Sequence, residues 1–150
     1  MAYQVHIEDA QEVLEDQEIL ALMPKNWRFI AELIGIEKTL RLIKEYKGTV
    51  LHIPFVIKRG LNVEHDIAGV IGLKALQELA KQLGGQRIEV PMGTMITSSM
   101  KFKLIQKALA KGESKAKLAR KFGITPRWIR EAARAKIKPL EEDKNLDLFK

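Results

Sequence analysis

The chain has 150 residues, of which 46% are hydrophobic and 30% charged, with net charge +7 and no cysteine. That length suits one domain or two small ones with a real core, and the missing cysteines exclude a disulfide framework and thiol chemistry, as expected of a reducing cytoplasm. No apolar run approaches the roughly 20 residues that span a bilayer, and the acidic first residues do not read as a secretory or transit leader.

Charge is distributed in blocks. Residues 1–24 hold six acids (Glu8, Asp9, Glu12, Glu15, Asp16, Glu18) and no Lys or Arg. Residues 101–138 hold thirteen Lys or Arg against Glu113 and Glu131, a block of +11, and residues 139–150 return to −2. A basic block of that size is the electrostatic footprint of a phosphate-binding surface.

In chain order, residues 1–24 contain one short amphipathic candidate, Val13 to Met23, and read as a weakly held acidic arm. Trp27 to Tyr46 has Phe29, Ile30, Leu33, Ile34, Leu40 and Ile43 at helical spacing. Gly48 stops that helix, Val50 to Pro54 is expected to be a short strand, and Lys58 to Asn62 a turn.

The pattern then repeats. AELIGIEKTLRLIKEYKGTVLHIP (31–54) aligns without a gap on AGVIGLKALQELAKQLGGQRIEVP (68–91), shifted by 37 residues. Ala31/Ala68, Ile34/Ile71, Gly35/Gly72, Leu42/Leu79, Lys44/Lys81, Gly48/Gly85 and Pro54/Pro91 are identical. This is an internal duplication of a helix–strand unit. Gly35 and Gly72 interrupt helical runs and mark a close crossing or a break. One such unit cannot bury its own apolar face or pair its strand, but two can, so the chain can carry internally what other proteins obtain by dimerising. Residues 25–93 are therefore read as a core or dimerisation domain.

After Pro91, MGTMITSS reads as a linker, with Met92, Met95 and Met100 as gap-filling or interface residues rather than metal ligands. Met100 to Lys111 is expected to be a helix with Phe102, Ile105, Ala108 and Leu109 inward, stopped by Gly112.

Ser114 to Arg134, SKAKLARKFGITPRWIREAAR, reads as helix, turn, helix. Leu118 and Ala119 close the first helix on its apolar side. Gly123 supplies the turn, Ile124 points inward, Thr125 is an N-cap and Pro126 opens the second helix. Ile129 and Ala132 form the buried stripe, which leaves Arg127, Arg130, Glu131 and Arg134 outward. A turn glycine followed by a basic second helix describes a DNA-reading helix-turn-helix. With the preceding helix it makes a homeodomain-like three-helix unit over residues 94–138, followed by a tail, 139–150.

Lys115, Lys117, Arg120 and Lys121 are expected over phosphates, which position without specifying. Arg127, Arg130 and Arg134 are expected in the major groove, where arginine pairs bidentately with guanine. Glu131 either accepts from cytosine or orients Arg127 or Arg134. Trp128 is either core or lies against the sugar-phosphate backbone.

From Ile71 to Ala135 the chain resembles the Mor and C transcription activators of transposable phages and prophages. The carriers are LKALQELAKQLGG, GGQRIEVPMG, KFKLIQKALAKG and KLARKFGITPRWIREAARA. The resemblance implies an N-terminal dimerisation region of helices and a strand, a C-terminal helix-turn-helix, and σ-dependent activation at phage promoters through contacts with RNA polymerase. The first repeat copy, residues 27–54, is extra relative to the family pattern. Glu89 and Met92 stand where the family has basic or aromatic residues flanking its strand, which leaves Gln86 and Arg87 as the strand-turn candidates for DNA.

Catalytic patterns are missing. His6, His52 and His65 are scattered without ligand spacing, and Glu64, His65 and Asp66 read as the start or cap of a helix. KGES and LGGQR lack the Gly-Lys-Ser/Thr ending of a P-loop, and no serine sits in a nucleophile elbow.

The expected fold class is mostly α: a helical domain with short β-strands followed by the helix-turn-helix. The expected function is a sequence-specific, non-enzymatic DNA-binding transcriptional regulator without metal or cofactor. Its expected partners are duplex DNA, RNA polymerase by resemblance, and a second copy in a homodimer, with no membrane. The homodimer rests on one reading helix covering only a few base pairs and on strand edges open to a second chain. The rival is a protein-interaction or RNA-binding module in which the basic hairpin meets RNA or an acidic protein.

Overall fold

Glycines set the punctuation of the described residues, 4–55 and 65–134 of a computed structural model. Two units can be described, residues 23–93 and residues 1–22 with 94–150, each within the described range.

In the first unit, helix α3 (Lys25–Ile34) ends at Gly35 and α4 (Ile36–Tyr46) begins directly after it. The helical run expected over Trp27 to Tyr46 is thus two helices, and of the two roles open to Gly35 it is the break rather than a close crossing. Gly35 has φ +93° and ψ 154°, a conformation open only to glycine without strain. Strand β1 (Val50–His52) follows. The second copy repeats this as α5 (Asp66–Ile71), Gly72, α6 (Leu73–Leu83) and β2 (Arg87–Glu89). Both strands stop short of the prolines, Pro54 and Pro91, since proline has no N–H to give to a ladder.

The duplication holds in three dimensions. α4 and α6, and likewise β1 and β2, have boundaries 37 residues apart. β1 and β2 pair antiparallel, with Leu51 opposite its own repeat equivalent, Ile88. The helices cross over: α3 packs on α6 and α5 on α4, as well as each on its own neighbour. Buried equivalents fill the core, among them Ile30/Ile67, Ala31/Ala68, Ile34/Ile71, Leu42/Leu79 and Ile53/Val90. One departure is Thr39, fully buried where the second copy has Leu76; its hydroxyl donates to the Gly35 carbonyl at 2.8 Å. Another is Trp27, also fully buried, whose indole N–H donates to the Glu89 carbonyl at 2.9 Å.

His65 caps α5: its Nδ1 accepts from the Ile67 N–H at 3.2 Å. Glu64 and the Lys58 to Asn62 turn lie outside the described residues.

In the second unit the acidic N-terminal segment is packed rather than weakly held. A short 3₁₀ turn, Ile7–Asp9, leads into α1 (Ala10–Val13) and α2 (Asp16–Ala21). Ile7, Ala10, Leu14 and Ile19 are buried. α2 is held by a capping box in which Glu15 and Glu18 each serve the other's backbone N–H. The surface that receives this segment is α7 (Thr94–Ala110), on which α1 packs. α7 begins six residues before the expected Met100, so Thr94 to Ser99, part of the stretch read as a linker, are helical. Ile96, Ser99 and Met100 are buried there, and burial outweighs the weak helix propensity of Thr and Ser. Glu18, itself buried, meets the Lys103 Nζ at 3.6 Å.

Candidate nucleic-acid interface

The C-terminal part of α7 supplies a floor. Helices α8 (Lys115–Phe122) and α9 (Pro126–Arg134) pack on it and on each other. Ile105, Leu118, Ala119, Phe122, Ile129 and Ala132 form one buried cluster, edged by Phe102, Ala108, Leu109 and Ile124. Every inward position read from the sequence lies at this cluster.

The turn is fixed by its own hydrogen bonds. Ser114 opens α8, its Oγ accepting from the Lys117 N–H at 3.1 Å. Gly123 closes it in the left-handed region, φ +66° and ψ 38°. There the Ile124 N–H donates to the Ala119 carbonyl at 3.0 Å and the Gly123 N–H to the Arg120 carbonyl at 3.3 Å. This reciprocal pair is a Schellman stop, with Ile124 turned back onto the apolar cluster. Thr125 then caps α9, its Oγ1 accepting from the Trp128 N–H at 3.2 Å.

α9 has two opposed faces. Ile129 and Ala132 are fully buried. Arg127, Arg130, Glu131 and Arg134 follow one another at helical intervals of three, one and three, and all four are exposed. Arg127 and Glu131 form an i,i+4 pair with Nε to Oε1 at 3.4 Å, so Glu131 orients Arg127. Both side chains stand largely in solvent, which makes the pair an aligning device rather than a source of stability. Trp128 is half-buried with its ring 4.7 Å from that of Phe102, at the edge of the core.

Lys115, Lys117, Arg120 and Lys121 are exposed along α8. From Lys115 to Arg134 seven cations are therefore set against one acid, Glu131. Thr125, also exposed, joins the two sets at the turn. Gln86 and Arg87 belong to the other unit, at the start of β2. Both are exposed, with Arg87 opposite His52 in the strand register.

Gln106 escapes a reading by sequence, and Lys107 and Lys111 are read there only as part of the basic block. Gln106 of α7 donates from Nε2 to the Ala132 carbonyl at 2.9 Å, tying α9 to its floor. Lys107 of α7 and Lys111, in the turn just after it, line a shallow groove with Lys121 and Phe122, widening the basic surface beyond α8 and α9. Nothing in the local pattern marks a lone glutamine. The two lysines share a face with Lys121 only once the helices have folded together.

Among the described residues no group of three His, Cys, Asp or Glu side chains is placed to hold a metal ion. No helix there is long and apolar enough to cross a membrane.

Residues 55–146, well over half of the chain, match the Mor transcription activator family. The chain belongs to this family. Searches of curated proteins and of solved structures returned no match. Membership makes this Mor-family chain a transcription regulator and accounts for the resemblance of its C-terminal portion. The first repeat copy, up to Pro54, lies before the matched segment.

Proposed function

We propose that this Mor-family chain activates transcription by binding duplex DNA sequence-specifically through α9, at phage or prophage promoters, and by meeting RNA polymerase there. The observation that carries this reading is the stripe Arg127, Arg130, Glu131 and Arg134, exposed on the face of α9 opposite Ile129 and Ala132. Its helix start is capped by Thr125, and Gln106 of α7 holds it at the Ala132 carbonyl. An arginine held in that way can present its guanidinium fork to a guanine edge, worth about 1–3 kcal/mol of discrimination. Lys115, Lys117, Arg120 and Lys121 would neutralise phosphates and set the register. Gln86 and Arg87 are a second, strand-borne candidate contact.

Binding is the whole mechanism in this reading, with no bond made or broken. A salt titration of a gel-shift assay tests it. If about six phosphates are neutralised, log K falls against log salt with a slope of roughly −5. A slope near zero would overturn the phosphate-neutralising part of this reading, and a preference for single-stranded RNA over duplex DNA would support the rival RNA-binding reading instead.

A further inference from the structure

We infer that residues 23–93 are a single-chain counterpart of a two-fold dimer, and that the chain works as a monomer with one reading helix per two-fold core. The second half of this statement rests on the function proposed above; the first does not.

The argument is one of symmetry. A two-fold interface is isologous: if residue i of one half touches j of the other, then j of the first touches i of the second. With a shift of 37 residues in place of a subunit rotation, the backbone bonds obey this rule. The Gly48 N–H donates to the Val90 carbonyl at 3.0 Å, and the Gly85 N–H to the Ile53 carbonyl at 2.8 Å. The Ile53 N–H donates to the Gln86 carbonyl at 3.0 Å, and the Val90 N–H to the Thr49 carbonyl at 2.9 Å. Each bond is the image of the other. Leu51 and Ile88, equivalent by the shift, face one another, so a pseudo-two-fold axis passes between them.

Side chains follow the same operator. A Cβ added to Gly85 would meet the Phe55 ring, and one added to Gly48 would meet the Met92 sulfur at 2.9 Å. Phe55 and Met92 are themselves one repeat apart. The crossed helix pairs, α3 on α6 and α5 on α4, are the remaining image contacts.

This geometry uses the surfaces on which a homodimer was expected to depend. The strand edges that meet across the axis pair within the chain, and each first helix already has the other copy's second helix as its partner. Because the copies are tethered, they meet at an effective concentration of order millimolar, well above a second chain at micromolar levels. Only the second copy is followed by α7, α8 and α9. The two-fold core therefore comes with one reading helix instead of two, and the DNA site it selects is a single asymmetric half-site rather than a palindrome.

The competing arrangement is strand exchange between two chains, and the native lack of cysteine makes it directly testable. Val50 and Glu89 are exposed and directly opposed in the register. Directly opposed strand residues lie within the range a disulfide requires. The double variant Val50→Cys, Glu89→Cys, oxidised at micromolar concentration, should run without reductant as one chain of 17.1 kDa. A covalent two-chain species would show that the strands pair between molecules and overturn the proposal. Light scattering on the unmodified chain is the second measurement, independent of whether the variant folds. A mass of 17.1 kDa across the micromolar range, and one chain per duplex in the DNA complex, are expected. Two chains in either state would overturn it. A 17.1 kDa species that binds no duplex would support the fused core and overturn the proposed function alone.

Discussion

Gly35 and Gly72 share one backbone conformation, with φ of +93° and +89° and ψ of 154° and 155°. In both copies the glycine N–H donates at 2.8 Å to the alanine carbonyl four residues back, Ala31 or Ala68. In both, the glycine carbonyl then accepts the first bond of the next helix, from Thr39 or Leu76, at 3.1 Å. The glycine thus ends one helix and begins another without a loop. A Cβ at either position would meet nothing within 4 Å, so a side chain is disfavoured by the backbone alone.

From this follows a prediction about stability. Gly35→Ala and Gly72→Ala should each destabilise the protein by about 1–3 kcal/mol, the cost of holding a non-glycine residue in that region. Urea denaturation should give similar losses for the two, since the sites are conformational copies. A neutral result at either would mean that the break can be remade with ordinary helical geometry.

What the sequence disclosed and what it hid divide along physical lines. The Gly123–Thr125–Pro126 run specifies its turn through local bonds, so the α8–α9 pair could be read residue by residue. The repeat was legible because glycines and prolines constrain backbone wherever they fall. Less accessible was the start of α7, where Thr and Ser are poor helix formers and the helix depends on Ile96 and Met100 being buried. The same holds for the N-terminal segment, whose buried Ile7, Ala10 and Leu14 need α7 as a partner before their spacing means anything. The strand pairing was available only as an alternative, because a five-residue strand does not say which edge it will find.

Capping of the second helix gives a separate prediction. Thr125 Oγ1 satisfies the Trp128 N–H, and Trp128 in turn lies on Phe102. Thr125→Ala should cost about 1 kcal/mol by loss of the cap. Thr125→Ser keeps the oxygen and should restore most of it. Thermal unfolding followed by tryptophan fluorescence and circular dichroism would compare the three proteins, and equal stability for all would remove the cap from the account of α9.

Tyr46 carries a pH prediction. At the end of α4 its phenol is pushed above its usual value of 10.0, first by burial and then by the negative charges of Asp66 and Glu45. A raised value means that the fold prefers the neutral phenol. The stability this contributes is fully present below pH 10.0 and is lost as pH rises above it through the folded value. Tyr46→Phe should therefore lose stability less steeply on the alkaline side than the parent. Asp66→Asn should lower the midpoint of tyrosinate absorbance assigned to Tyr46. An unchanged midpoint would separate Tyr46 from Asp66.

The last prediction separates positioning from reading on the proposed DNA surface. Arg130 is exposed on the outward stripe of α9, between Arg127 and Arg134 and opposite the buried Ile129 and Ala132. Lys117 is exposed in the first turn of α8, where its N–H is already bound by Ser114 and its ammonium is free to reach a phosphate. Neither side chain contributes to the core, so both alanine variants should fold as the parent does. Arg130→Ala should lose about 1–3 kcal/mol on the preferred site and almost nothing on random duplex, relaxing the preference at one base pair. Lys117→Ala should weaken all duplexes about equally and make the salt slope shallower by about 1. Binding to a panel of single-base variants at two salt concentrations reads both effects at once. If Arg130→Ala instead weakened every duplex equally, its guanidinium would be a phosphate contact and the reading face of α9 would have to be turned toward Arg127 or Arg134.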